Sequence, residues 1–187
     1  MANNLETLFS MRTTAENNDG IQWYSTAREY LEVIAKNRKT SLKVVAGMVA
    51  ALSPRVNWKT NLYSANNMLK GKKIRGLSKN IEKAEAIKKT GIVLKYLKGP
   101  KVTSFFLNLI GNESEVTIDT LMINAYHNHF ERISVTKAER DDIVSTVQSI
   151  ARRHKMTCAQ VQAIIWVVWH RVTKSNFPGY VALLKIF

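Results

Sequence analysis

The stretch KGPKVTSFFLNLIGNESEVTIDTLMINAY, residues 98–126, decides the fold class. Pro100 suits the first position of a helix, where its missing N–H has no partner to lose and its φ is already near the helical value. Val102, Phe105, Phe106 and Leu109 then recur at helical spacing and give one apolar face, and Gly111 ends the run. Glu115-Val116-Thr117-Ile118 is a short extended, β-branched piece. Asp119 follows where an N-cap belongs, with Leu121, Met122, Ala125 and Tyr126 behind it on a second helix. The pattern is helix, short extended link, helix.

The same pattern continues on both sides. Asp19-Gly20 is read as the opening of a helix carrying Ile21, Tyr24, Ala27, Leu31 and Ile34. Thr40 or Ser41 caps the next, whose buried face is Leu42, Val45, Ala46, Val49 and Leu52. It stops at Ser53-Pro54, because the residue before a proline disfavours the helical region. A third helix spans about Val56 to Leu69, and a basic loop with Gly71 and Gly76 runs from Lys70 to Lys79. Asn80 is placed as the cap of a helix through Thr90, closed by Gly91, with a short apolar piece at Ile92 to Leu97. Thr136 and Glu139 form a capping-box pair, and Thr157 starts the last helix, Ala159 to Val172. Eight or nine helices, no sheet, no repeat and no linker predict an all-α chain forming a single helical unit over 1–187.

Composition agrees and adds a partner class. Hydrophobic residues are 45% of the 187, enough for a core, and three Pro with eight Gly are too few for a turn-rich β architecture. The 28 Lys and Arg against 14 Asp and Glu give a net charge of +14. Such a surplus speaks for polyanionic partners, with a merely solvated basic surface as the alternative. The surplus is concentrated: eleven basic residues and only two acids, Glu82 and Glu85, lie between Lys70 and Lys101. An anionic membrane surface fits less well, since no terminal segment pairs an apolar face with a basic one. One cysteine, Cys158, excludes an internal disulfide and a four-cysteine metal or iron–sulfur site. No leader pattern and no 18-residue apolar window occur, so the expectation is a soluble cytoplasmic protein without cofactor or membrane partner.

Single residues say little by themselves. An aspartate before a helix is ordinarily a cap, and a lysine after Gly-Pro is ordinarily a solvated side chain or a phosphate contact. His127, His129, His154 and His170 show no metal-ligand spacing; His127 and His129 are read as two apart on one helix, facing different ways. Asp141 and Asp142 are read in the first turn of a helix, where acids suit the dipole. Trp166 has a plain alternative as core beside Ile165 and Trp169.

Taken together, three segments resemble the helix-hairpin-helix DNA glycosylase superfamily, of the endonuclease III and 8-oxoguanine glycosylase types. Leu97-Lys98-Gly99-Pro100-Lys101-Val102 is similar to the hairpin that ends in Gly-x-Lys. Val116-Thr117-Ile118-Asp119-Thr120, 18 residues after Lys101 at Asp119, is similar to the extended piece that delivers the aspartate. Ala50-Ala51-Leu52-Ser53-Pro54-Arg55-Val56-Asn57-Trp58 resembles a helix–loop that meets the opposite strand. Val161-Gln162-Ala163-Ile164-Ile165-Trp166 resembles the late helix that holds a flipped base, with Gln162 and Trp166 four apart on one flank. The likeness runs in order from about Ser41 to Arg171, so a glycosylase-like core lies at about 41–171 and the helices of 1–38 pack on the C-terminal lobe.

The resemblance implies a two-lobed helical bundle with a central cleft and a degenerate helix-hairpin-helix, since only Gly99 remains of the usual Leu-Pro-Gly-x-Gly. It implies a monomeric DNA glycosylase with AP-lyase activity that excises a damaged or modified base from duplex DNA. Lys101 is the expected nucleophile and Asp119 the expected carboxylate. Gln162, Trp166 and Phe105 are the expected base-recognition residues. Arg55, Asn57, Trp58, Lys59, Lys98, Gly99, Lys72, Lys73 and Arg75 are the expected DNA contacts. A lysine must lose its proton to attack, which requires desolvation or neighbouring cations such as Lys98. The alternatives are a non-catalytic DNA-binding or regulatory protein on the same scaffold and an enzyme acting on hypermodified bases. The iron–sulfur cluster of the endonuclease III branch is not expected.

Overall fold

A computed structural model describes residues 4–129 and 132–173. All regular structure among them is helical: α1 (Asn4–Ser10), α2 (Thr14–Asn37), α3 (Leu42–Leu52), α4 (Trp58–Leu69), α5 (Ser78–Thr90), α6 (Pro100–Leu109), α7 (Thr120–His127), α8 (Lys137–His154) and α9 (Cys158–Val172). The chain divides into two compact units. Among the described residues the first comprises 4–25 and 112–173, and the second comprises 26–111. The boundary falls inside α2, so residues 26–37, read from sequence with the N-terminal helices, belong to the second unit.

In the first unit α9 is the central helix. Val161, Ile164, Ile165, Val168 and Trp169 are buried along it, and α1, α7 and α8 pack around it. The first half of α2 approaches it at Gly20, where a Cβ atom would stand 2.4 Å from Ile164 Cγ1 and 2.7 Å from its Cα. This corrects the expectation that Asp19-Gly20 opens a helix. Gly20 lies within α2, and its missing side chain serves a close approach rather than a boundary. The helix starts six residues earlier at Thr14, with Thr13 as its cap. Thr13 N–H donates to Glu16 Oε2 at 2.8 Å while Glu16 N–H donates to Thr13 Oγ1 at 3.2 Å, a capping box spelled Thr-x-x-Glu in the sequence.

Glu16 has a second role. Arg171 Nε donates to its Oε1 at 2.6 Å, tying the start of α2 to the end of α9. Burial pushes the Glu16 carboxyl up, but hydrogen bonds from Arg171 and Thr13 outweigh it and leave the group below its ordinary value. Two smaller expectations are also corrected. Asp141 and Asp142 occupy the second turn of α8, because Thr136 starts the helix and puts Glu139 in the first. His129 lies beyond α7, which Asn128 ends in the left-handed region at φ 51°.

The second unit is built on α3, of whose eleven residues the nine from Val44 to Leu52 are buried. Helices α4, α5 and α6 pack on it. Gly47 is another close approach: a Cβ there would meet both γ-methyls of Val93 at 2.7 Å. Cations also reach carbonyls at helix ends, where the dipole favours them. Lys88 Nζ donates to Met68 O at 2.7 Å at the end of α4, and Arg28 Nε to Leu109 O at 3.3 Å at the end of α6. Asn80 does not cap α5. Leu77 O already accepts from Asn80 N–H and Ile81 N–H, so helical bonding begins at Ser78.

Candidate functional site

Asp119 caps α7 as its sequence position predicts. Its Oδ1 accepts from Met122 N–H at 2.9 Å. Its Oδ2 accepts from Trp166 Nε1–H at 3.3 Å. Both oxygens of a half-buried carboxylate therefore face N–H donors, an arrangement that suits an acceptor-only group. Trp166 is half-buried and packs against the core that contains Ile165 and Trp169, as the plain alternative has it, while its indole N–H reaches Asp119. One turn further along α9 the His170 ring meets Trp166 edge-on, with centroids 4.0 Å apart. Burial lowers the His170 pKa to about 4, so the ring is neutral at neutral pH.

Gln162 lies one turn before Trp166 on the same flank, as the four-residue spacing predicts. It is buried, and its Oε1 accepts from Tyr24 Oη–H at 2.9 Å. Tyr24 Oη also stands 3.3 Å from Thr117 Oγ1. Thr117 and Asp119 are two apart on an extended segment and so share a face. The result is a polar layer in the first unit: Tyr24, Thr117 and Gln162 in its buried part, Asp119, Trp166 and His170 toward its edge. Sequence reasoning had Asp119, Gln162 and Trp166, but placed Tyr24 only on an apolar helical face and missed Thr117 and His170. A hydrogen bond spanning 138 residues leaves no local signal.

Lys101 belongs to the second unit. It is half-buried at the second position of α6, behind Pro100 at N1 and Gly99 at φ 128° and ψ 140°. That backbone is open to glycine and strained for any side chain, and Gly99 supplies no capping oxygen. The first N–H groups of α6 are thus left for solvent or an anion. Phe105 lies one turn after Lys101 on the same flank. It is buried, and its ring meets Trp58 edge-on at 6.4 Å between centroids. The contact joins the flank of α6 that carries Lys101 to the start of α4.

The segment before α4 is a tight turn. Val56 N–H donates to Ser53 O at 3.3 Å, with Pro54 and Arg55 at the corner and Arg55 at φ 63°. Proline followed by a positive φ is the type II pattern, which ordinarily takes glycine where Arg55 stands. Arg55 and Lys59 are exposed, and Asn57 is engaged as the N-cap of α4, its Oδ1 accepting from Thr60 N–H at 2.9 Å. Lys72, Lys73, Arg75, Lys98 and Gly99 are all exposed.

Charge is divided sharply between the two units. Residues 26–111 hold 18 of the 28 Lys and Arg but only four acids, Glu29, Glu32, Glu82 and Glu85. The rest of the chain holds ten of each sign, so the second unit carries the whole +14. From residue 33 to residue 81 there is no acid at all, against eleven basic side chains. Among the described residues no group of His, Cys, Asp and Glu could hold a metal ion, and no helix is long and apolar enough to cross a membrane.

Comparison with known proteins gives one match. A family model described as a family of unknown function, DUF7178, matches residues 1–173. No curated protein and no solved structure matches the chain.

Proposed function

We propose that this chain, which belongs to the DUF7178 family, is a DNA N-glycosylase with AP-lyase activity, working from a two-lobed helical scaffold with a degenerate helix-hairpin-helix at Gly99-Pro100-Lys101. The observation that carries the reading is Asp119: a carboxylate at a helix start, with N–H donors on both oxygens and an aromatic ring beside it. The concentration of the net charge in residues 26–111 supports a polyphosphate partner, whose affinity comes from counterion release.

In this reading a base leaves the stack at a cost of a few kcal/mol and is held by stacking and edge hydrogen bonds. The unprotonated Lys101 amine attacks C1′ of its nucleotide. A bond forms from Nζ to C1′, the C1′–N bond to the base breaks, and the base departs with the bonding electrons and takes up a proton. Opening of the sugar gives a Schiff base, from which elimination of the 3′ phosphate cuts the strand. Asp119, remaining a carboxylate, stabilises the positive charge that develops on the sugar.

A second reading has its own observation. Gln162 Oε1 is bonded to Tyr24 and Trp166 Nε1 to Asp119, so two groups expected to recognise a base are engaged within the first unit. This favours a non-catalytic DNA-binding protein on the same scaffold. Borohydride trapping on duplexes carrying a panel of damaged and modified bases separates the two. Glycosylase action gives a covalent complex that Lys101→Ala abolishes while DNA binding persists. No trapping with any substrate, or equal strand cleavage by Lys101→Ala, leaves the binding reading.

A further inference from the structure

We propose that the exposed face of α4 is a binding surface for an unpaired DNA strand, with Tyr63 as a stacking platform for one base. This rests on the DNA partner proposed above but not on the catalytic reading. Tyr63 is 68% exposed, the most exposed of the Phe, Tyr and Trp rings among the described residues. Lys59 stands one turn before it and Asn67 one turn after, and the C-cap residue Lys70 closes the same face, eleven residues from Lys59. At 1.5 Å per residue that face is about 16 Å long. Lys59 and Lys70 are both exposed, and α4 itself carries no acid, so no carboxylate of the helix competes for these cations; Glu85 of α5, near the end of α4, is paired with Lys88.

The chemistry of the face selects among partners. An apolar protein surface would need a contiguous apolar patch, whereas Tyr63 is a lone ring among cations and amides. A duplex offers base edges and phosphates, but the faces of its bases are already stacked. A single strand offers both phosphates for Lys59 and Lys70 and a free base face for the ring. Base–aromatic stacking of this kind is tolerant of sequence and works together with a positively charged track. Because Tyr63 makes no core contact of consequence, its replacement removes the ring without removing the fold.

The test is fluorescence anisotropy of the full chain with a labelled oligothymidylate and with a blunt duplex of equal length. Tyr63→Ala is expected to weaken single-strand binding about five- to 150-fold, the range that stacking on one base carries, and duplex binding less than about two-fold. Tyr63→Phe keeps the ring and is expected to bind the single strand as the wild type does. Lys59→Gln and Lys70→Gln should each lower the salt slope on the single strand by about 0.7, while Tyr63→Ala leaves it unchanged. Unaltered single-strand affinity in Tyr63→Ala, an equal loss on the duplex, or a Tyr63→Phe as weak as Tyr63→Ala overturns the proposal. Lys101→Ala, run alongside, separates the two ideas: loss of trapping with Tyr63-dependent binding intact bears on catalysis alone.

Discussion

Trp166 donates its indole N–H to the Oδ2 of Asp119, the residue whose Oδ1 caps α7. One side chain thereby joins α7 to α9, and its removal is expected to cost more than a cap. Losing the cap is worth about 1 kcal/mol, and leaving a partly buried indole N–H unsatisfied about 1–3 kcal/mol more. Asp119→Ala is therefore expected to destabilise by about 2–4 kcal/mol. Asp119→Asn keeps the capping oxygen but turns an amide N–H₂ toward the indole N–H, and Trp166→Phe relieves that conflict. Urea denaturation of the two single variants and the double should give a coupling of about 1 kcal/mol or more. Strict additivity would show that the 3.3 Å contact carries no energy.

Gly20→Ala sets two effects against each other. In a helix interior the change gains about 1 kcal/mol of propensity. Against that, the new methyl would stand 2.7 Å from the backbone N and Cα of Ile164, which cannot rotate away. Overpacking of this kind costs about 1–3 kcal/mol, and backbone neighbours put it at the upper end. The net expectation is a loss of about 1–2 kcal/mol, read from the denaturation midpoint. A variant more stable than the wild type would mean that α2 and α9 are not so closely apposed.

The contrast between Gly20 and Gly91 shows what the sequence makes legible. Both read locally as punctuation. Gly91 does end α5, in the left-handed region at φ 70°, whereas Gly20 lies mid-helix because a distant helix needs the space. Capping chemistry is local and was readable: Asp119, the Thr136–Glu139 box and Pro100 at N1 all stand where their residue types put them. The Thr13–Glu16 box carried the same signal and, read as such, would have placed the start of α2 correctly. Tyr24, Thr117 and Gln162 meet only through tertiary packing, so spacing along the chain could not assemble them. Nor could it separate Asn57 as a cap from Asn57 as a DNA contact, since both uses want the same polar side chain.

Acid should loosen the first unit in two stages. The folded His170 titrates at about 4 and the unfolded ring near 6.5, so between these values the unfolded chain binds the extra proton. Stability from this residue is complete above about pH 6.5 and is lost as pH falls toward 4, by about 1–2 kcal/mol once the ring's partial exposure is discounted. Glu16, held below its ordinary value, adds a second loss as pH falls through the carboxylate range. His170→Phe keeps a ring against Trp166 without the titration. Its denaturation midpoint should change less than the wild type's between pH 6.5 and 4.5, and equal slopes in the two proteins would refute the assignment.

Arg55 offers a way to separate charge from fold. Its φ of 63° places an arginine where a type II turn ordinarily has glycine, and a left-handed backbone costs a side chain about 1 kcal/mol. Glycine removes that strain but gives back a similar amount in unfolded-chain entropy. Arg55→Gly is therefore expected to leave stability within about 1 kcal/mol of the wild type, or slightly above it. The same change removes an exposed cation from the acid-free run of residues 33–81. If Arg55 contacts a phosphate, the salt slope for duplex binding should fall by about 0.9 and affinity should drop evenly across sequences. A large loss of stability would show that the guanidinium holds the turn. Unchanged slope and affinity would show that Arg55 contacts no phosphate.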